Sequence, residues 1–302
     1  MVRSRSTTRS TAIVLAVAVA VAVLSGCGGD DAADASLGDT TLPPLVATTT
    51  IWADVTSHVA CGEDVVAIIP AGADPHAFEP SLRDRELLDR AGLVVANGGD
   101  LEESLVDLLA TVSGEGVDVV EISPHVQLLD GDPHVWQDPS RVAGALDVIE
   151  SAVVASGRDA AEIGRCTDSY RTELEALDLE ISEQLAGIPP ERRLLVTNHD
   201  AFAYFADRYD FEIVGTVIPS ASTLGESSAG QLAELADVIA EHGVPAIFAE
   251  RLGSTGDAEA LADRIGVAVV ELDSDSLAPD GPAASYTGLL RANAAAIAAA
   301  LG

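Results

Sequence analysis

Two stretches of the chain carry the same arrangement of reactive residues. Residues 73–80 read ADPHAFEP and residues 132–139 read DPHVWQDP, each setting Asp-Pro-His ahead of a large aromatic, an acid and a proline. Proline fixes its own φ and restricts the residue before it, so Pro75 and Pro133 hold the approach to His76 and His134. Asp74 or Glu79, and Asp132 or Asp138, are placed to accept the second imidazole N–H or to cap nearby amides; acceptors of that kind orient ligand histidines. A third histidine, His199, directly follows the apolar run LLVTN. Three imidazoles suit zinc, with a carboxylate or a water completing a tetrahedron. The carboxylate candidates are Asp273 and Asp275 in ELDSDSLAP, with Glu271 less exposed to a cleft. Glu250, at the end of AIFAE, is a further convergent acid whose other reading is a helix cap or a partner for Arg251. His58, His125 and His242 do not repeat the pattern, and His125 is the most open of the three.

Side chains so far apart in sequence meet only if the elements before them end at one place. LVATT, DVVAIIP, LVVANGG and VDVVEIS read as short strands, separated by the helical patterns TIWADVTSHVA, SLRDRELLDRA and LEESLVDLLATV. Ser81 stands where a helix cap is needed. Strand–helix alternation predicts parallel sheets covered on both faces. From Pro139 the pattern turns helical, and DAAEIGRCTDSYRTELEALDLEISEQLAG predicts one long, nearly unbroken helix acting as a spacer. Alternation resumes with RRLLVT, FEIVGTVIPS, VPAIFAE and VAVVELDS. The expected fold class is therefore α/β: two lobes, each a parallel sheet flanked by helices, joined by one long rigid helix. The expected boundaries are an N-terminal lobe at 43–157, a linking helix at 158–187 and a C-terminal lobe at 188–302. Ligands of open parallel sheets sit beyond the C-terminal ends of the strands, which is where His76, His134 and His199 fall.

The formal net charge of -33 argues against a nucleic-acid groove, which needs clustered Lys and Arg. The N-terminus carries Arg3, Arg5 and Arg9, and then an apolar run from Ala12 to Leu24 that is short for a membrane span. It has the form of a signal peptide over residues 1–26. The run ends in Leu24-Ser25-Gly26-Cys27, which resembles the lipobox of bacterial lipoproteins, so Cys27 is expected to carry a lipid anchor. Residues 27–42, small, acidic and Pro-ended, read as a flexible tether. Export permits a disulfide between the remaining cysteines, Cys61 and Cys166.

Taken together, GADPHAFEP, DPHVWQDP, TNHDAFAYF and DSDSL resemble, in order and spacing, the zinc and manganese solute-binding proteins of bacterial ABC transporters. The resemblance covers essentially the whole chain from the lipobox onward. It implies two α/β lobes with one ion between them, and ligands at His76, His134, His199 and Asp275; the choice of Asp275 over Asp273 comes from the resemblance alone. The third ligand position is His or Glu in different members, and His leans to Zn²⁺, with Mn²⁺ as the alternative cargo. Nitrogen-rich ligation favours the same choice. The resemblance implies a monomeric extracytoplasmic receptor at the cell membrane that delivers its ion to an ABC permease. Many zinc members carry a His- and acid-rich loop before the second ligand. Here only HVQLLDGDPH stands there, so capture relies on the main site or on a partner such as a metallochaperone. Cys61, where many relatives have small residues, points to a pairing particular to a subgroup, with Cys166 in the spacer as its partner. SASTLGESSAG is longer than a minimal loop and is a candidate gate for the cleft.

The rival reading is a secreted zinc hydrolase with three His, an open coordination position and Glu250 or Asp200 as base. No HExxH occurs, and four protein ligands leave no place for an activated water. An adhesin holding a structural metal is a second rival.

Overall fold

Eight short runs of aliphatic residues become strands in the computed structural model, which describes residues 42–251 and 255–302. The expected leader and all but the last residue of the expected tether lie outside the described residues. β1 (Leu45–Ala47), β2 (Val65–Ala67), β3 (Leu93–Ala96) and β4 (Val119–Glu121) form one sheet in the order β2-β1-β3-β4. β5 (Leu194–Thr197), β6 (Glu212–Thr216), β7 (Ala246–Glu250) and β8 (Ala268–Leu272) form a second in the order β6-β5-β7-β8. Every pairing is parallel. The inner strands β1, β3 and β7 are buried at every residue, whereas the edge strands β2, β4, β6 and β8 are partly exposed. Continuous apolar runs without alternation are what a parallel sheet covered on both faces demands.

Helices α1 (Thr50–Val59), α2 (Leu82–Leu88), α3 (Val106–Gly114) and α4 (Pro139–Ala155) accompany the first sheet. Helices α6 (Ala203–Tyr209), α7 (Ala229–His242), α8 (Gly256–Ile265) and α9 (Tyr286–Leu301) accompany the second. Their starts follow local chemistry. Ser81 and Asp84 form a reciprocal capping box at α2, and Ser228 and Gln231 form another at α7. Asp138 caps α4 with Pro139 in its first turn. Between the two sets runs α5, 26 residues from Ala160 to Leu185. It buries Ile163, Thr167, Tyr170, Leu174, Leu177, Ile181 and Leu185, a single stripe at three- and four-residue spacing.

That stripe packs on α1 and α4 of the first lobe and on α9 of the second. One contiguous core runs from Leu45, Trp52 and Val95 through Trp136 and Leu177 to Phe205, Tyr286 and Ile297, so both lobes share it. Two smaller clusters lie under the outer helices, Val46 with Leu109 in the first lobe and Ile247 with Leu261 in the second. A fully buried Leu or Ile is worth ~1.5–3 kcal/mol, so the five aliphatics of the α5 stripe contribute about 10 kcal/mol. Parting the lobes would forfeit much of this, which makes α5 a rigid brace. The Cys61–Cys166 disulfide ties it to the second residue past α1, with the two Cα atoms 5.4 Å apart.

Candidate metal centre

Each lobe sends its strand-end loops into the crevice between the sheets. His76 lies in the loop after β2, and His134 lies in the loop between β4 and α4. His199 comes two residues after β5, and Asp275 three residues after β8. All four are buried, His134 and His199 completely. Their ligand atoms lie within 4.8 Å of one another. The Nε2 atom of His134 is 3.4 Å from that of His76 and 3.3 Å from that of His199. Asp275 Oδ1 is 3.6 Å from His134 Nε2, and Asp275 Oδ2 is 3.5 Å from His199 Nε2. A tetrahedral ion with bonds of about 2.0–2.1 Å needs ligand atoms about 3.3–3.4 Å apart. Both carboxylate oxygens of Asp275 are buried and lack a hydrogen-bond partner among the described residues. Buried polar groups are normally partnered, and a cation is the partner this arrangement fits. The cluster is thus capable of holding Zn²⁺ or Mn²⁺.

Outer contacts fix most of these rings. Asp132 Oδ1 accepts from the His134 backbone N–H at 2.9 Å and from its Nδ1–H at 2.6 Å, leaving Nε2 free to ligate. Glu250 Oε1 accepts from His199 Nδ1–H at 2.5 Å, while Ser274 donates to Glu250 Oε2 at 2.7 Å. Asp74 accepts from the His76 backbone N–H at 2.9 Å, but His76 Nδ1 has no partner among the described residues. The acids of the two motifs thus divide their work: Asp132 holds a ring, Asp138 caps α4, and Asp74 serves a backbone amide. Asp273 turns away from the centre to accept from Arg251 at 3.0 Å. Glu250 is not the partner of Arg251, whose bonds go to Asp273 and Glu271. Among the remaining histidines, His58 stacks on Tyr170 and His125 lies beside α3, both apart from the cluster.

The second motif is also braced from the opposite lobe, by contacts that no sequence pattern marks. Tyr204 of α6 donates to Asp132 O at 2.6 Å, Trp136 Nε1–H donates to Ser274 O at 2.7 Å, and Tyr286 donates to Trp136 O at 2.7 Å. From its own lobe, Asn97 Nδ2–H donates to Pro133 O at 2.9 Å, and Asn97 Oδ1 accepts from Trp52 Nε1–H at 2.8 Å. Buried Glu102 accepts from the Asn97 and Gly98 amides and the Thr48 hydroxyl; burial raises its pKa above the usual range. Gly98 adopts φ +72°, and a Cβ there would meet Ser123 Oγ at 2.6 Å, so the glycine turn after β3 is required.

Charge and burial compete within the centre. Burial lowers His76 to a pKa of about 3, helped by the neighbouring imidazoles. Burial also pushes His199 down, but Asp275 and then Glu250 outweigh it and raise the pKa to about 9. Burial raises Asp275 to about 6 against the pull of His199 and His134. Near neutral pH the ion-free centre therefore holds a protonated His199 against an ionised Asp275, and a proton occupies part of the place a cation would take.

A crevice between two lobes that share one core, lined by four buried side chains able to hold one metal ion, is the arrangement of a metal-binding solute receptor. The chain matches the family described as "ZnuA: Zinc-uptake complex component A periplasmic" over residues 45–300, and it belongs to that family. It is 32% identical over 275 residues to the zinc-binding protein TroA of Treponema pallidum, covering 85% of this chain and 89% of that one. It is 31% identical over 282 residues to the manganese-binding lipoprotein MntA of Halalkalibacterium halodurans, covering 90% of this chain and 92% of that one. Among solved structures it is similar to the periplasmic zinc-binding protein TroA from Treponema pallidum, with a TM-score of 0.81 and 30% identity. That match covers 87% of this chain and 100% of the other. A Mn-bound periplasmic metal-binding protein from Candidatus Liberibacter asiaticus, at 21% identity and a TM-score of 0.76, shares the fold; the match covers 86% of this chain and all of that one. Members of the family are transport proteins that bind a solute, not catalysts. The protein is an extracytoplasmic receptor that captures a metal ion for delivery to an ABC permease.

Proposed function

We propose that the captured ion is Zn²⁺, held by the Nε2 atoms of His76, His134 and His199 and by the Asp275 carboxylate. The observation that carries this reading is the meeting of four buried residues whose ligand atoms all lie within 4.8 Å of one another, with His134 Nε2 only 3.3–3.4 Å from the other two imidazole nitrogens. Three nitrogen donors and one carboxylate suit zinc better than manganese, which prefers more oxygen. Relatives named for zinc and for manganese are about equally similar, so the choice rests on the ligand set. One observation favours Mn²⁺ as a second reading: both Asp275 oxygens are unpartnered, and a carboxylate binding through both would raise the coordination number. Competitive titration of the demetallated protein with Zn²⁺ and Mn²⁺ tests this. Zn²⁺ is expected to bind more tightly than Mn²⁺; equal affinity or a preference for Mn²⁺ would overturn the zinc assignment, and no uptake of either would overturn the function.

The same proposal places the protein on a lipid anchor at Cys27, after removal of residues 1–26, with residues 27–42 as tether. Lobes at 43–157 and 188–302 flank the linking segment 158–187. With only a short loop before His134, a metallochaperone is a further candidate partner. Cys27→Ser should release the protein from the membrane fraction; continued membrane association would refute the anchor.

A further inference from the structure

The two Asp-Pro-His motifs are spent differently. In the second, one oxygen of the Asp132 side chain takes both the backbone N–H and the ring N–H of His134. In the first, Asp74 Oδ1 takes only the His76 backbone N–H, at 2.9 Å. Its other oxygen, Oδ2, accepts a 2.6 Å hydrogen bond from the hydroxyl of Thr223, which belongs to the opposite lobe. His76 is buried, yet its Nδ1 has no hydrogen-bond partner among the described residues. Of the three histidines in the centre, it alone has no acceptor on the nitrogen facing away from the ion site.

Thr223 is presented by a loop with its own bracing. Between β6 and α7, the Ser222 amide donates to Ser220 Oγ at 3.0 Å and the Gly225 amide to Ser222 O at 3.2 Å. Ser227 donates to Val217 O. A Cβ on Gly225 would come within 2.8 Å of Ile218 and Ser220, so only glycine lets the loop fold this tightly. The Asp200 amide, next to His199, donates to Ser220 O at 3.0 Å and ties the loop to the second-lobe ligand. On its other side the first motif is held by Ser276, whose Oγ accepts from the Gly72 amide at 3.0 Å and which adjoins Asp275. The seat of His76 is thus completed from the opposite lobe, whereas the ring of His134 is held by its own motif.

We propose that Thr223 is a positioning residue for His76, acting across the cleft through Asp74. This rests on the reading of the centre as a metal site. When the Thr223 loop withdraws, Asp74 loses its second partner and the backbone of His76 loses its fixed acceptor. His76 is then the ligand released first, and Thr223 sets the rate at which the ion leaves.

The test is dissociation of Zn²⁺ into excess chelator, followed by stopped flow. Thr223→Val should raise the off-rate about tenfold, equivalent to about 1.4 kcal/mol. Thr223→Ser keeps the hydroxyl and should stay within about twofold of the parent. In a His76→Asn background, Thr223→Val should add less than about twofold, because the residue it acts through is gone. The melting temperature of metal-free Thr223→Val should match that of the parent, separating positioning from folding. An unchanged off-rate in Thr223→Val overturns the proposal, as does an equal rise in the His76→Asn background. A parent protein that takes up no Zn²⁺ overturns the underlying metal-site reading, and this inference with it.

Discussion

Raising the pH from 6.5 to 9 should weaken the metal-free protein and leave the metal-bound protein almost untouched. His199 carries the effect. Its ordinary pKa is 6.5, and in the folded, ion-free centre Asp275 and Glu250 raise it to about 9. A raised basic pKa stabilises the fold fully below pH 6.5, and the contribution disappears as pH climbs through 9. At 1.36 kcal/mol per unit, the loss over the window is on the order of 3 kcal/mol, a large share of a typical net stability. Asp275, held up to about 6, and His76, lowered to about 3, have largely given up their protons by the start of the window and do not offset it. With an ion bound, His199 has no proton to lose, so the slope should vanish. Urea unfolding at half-unit pH steps, with and without Zn²⁺, measures both curves. Metal-free stability that is flat or rising between pH 7 and 9 would refute the reasoning. So would an undiminished fall in His199→Gln.

The same linkage predicts that near pH 7.5 each ion bound displaces about one proton, so affinity should rise about tenfold per pH unit between about 6 and 9; calorimetry in buffers of different ionisation enthalpy reads the proton directly. Glu250→Gln removes the carboxylate that orients His199 and should weaken metal binding ~10–100-fold by competitive titration; unchanged affinity would mean that the 2.5 Å contact is idle. Replacing Cys61 and Cys166 by Ser should cost ~2–4 kcal/mol in denaturant unfolding. Metal affinity should stay within about threefold, because the bridge sits at the far end of α1, a helix about 15 Å long whose start lies near Asp275. Small-angle scattering of metal-free and metal-bound protein should give radii of gyration within about 1 Å, because the shared core resists separation of the lobes; a large compaction would contradict it.

The motifs revealed the three histidines because strand–helix alternation fixes where strands end, and parallel sheets gather those ends. The long apolar stripe of α5 was legible for the same kind of reason, a period of 3.6 sustained without a breaker. Asp275 could not be separated from Asp273 on pattern, since the two share a face of an extended segment. What separates them is Arg251, which draws Asp273 away from the centre. Glu250 announced itself only as an acid at a strand end, and its bond to His199 depends on β7 lying beside β5, a neighbour relation that periodicity does not encode. In the sequence Trp136 stands out only as the aromatic of the second motif, and nothing singles out Tyr204 or Tyr286. Their polar tips bridge the lobes only once the chain has closed on itself, so local sequence carries no sign of that role.

The bridge between Cys61 and Cys166 closes a circuit 105 residues long, encompassing most of the first lobe and the beginning of α5. Thiols in the bacterial cytosol are kept reduced, so this covalent ring cannot persist there. A newly made chain therefore lacks one of its strongest ties for as long as it remains inside, where a secretory polypeptide has to stay pliable enough to be threaded outward. Oxidation on the far side then makes the fold durable in the compartment where it works, so the last covalent tie is made only where it is needed.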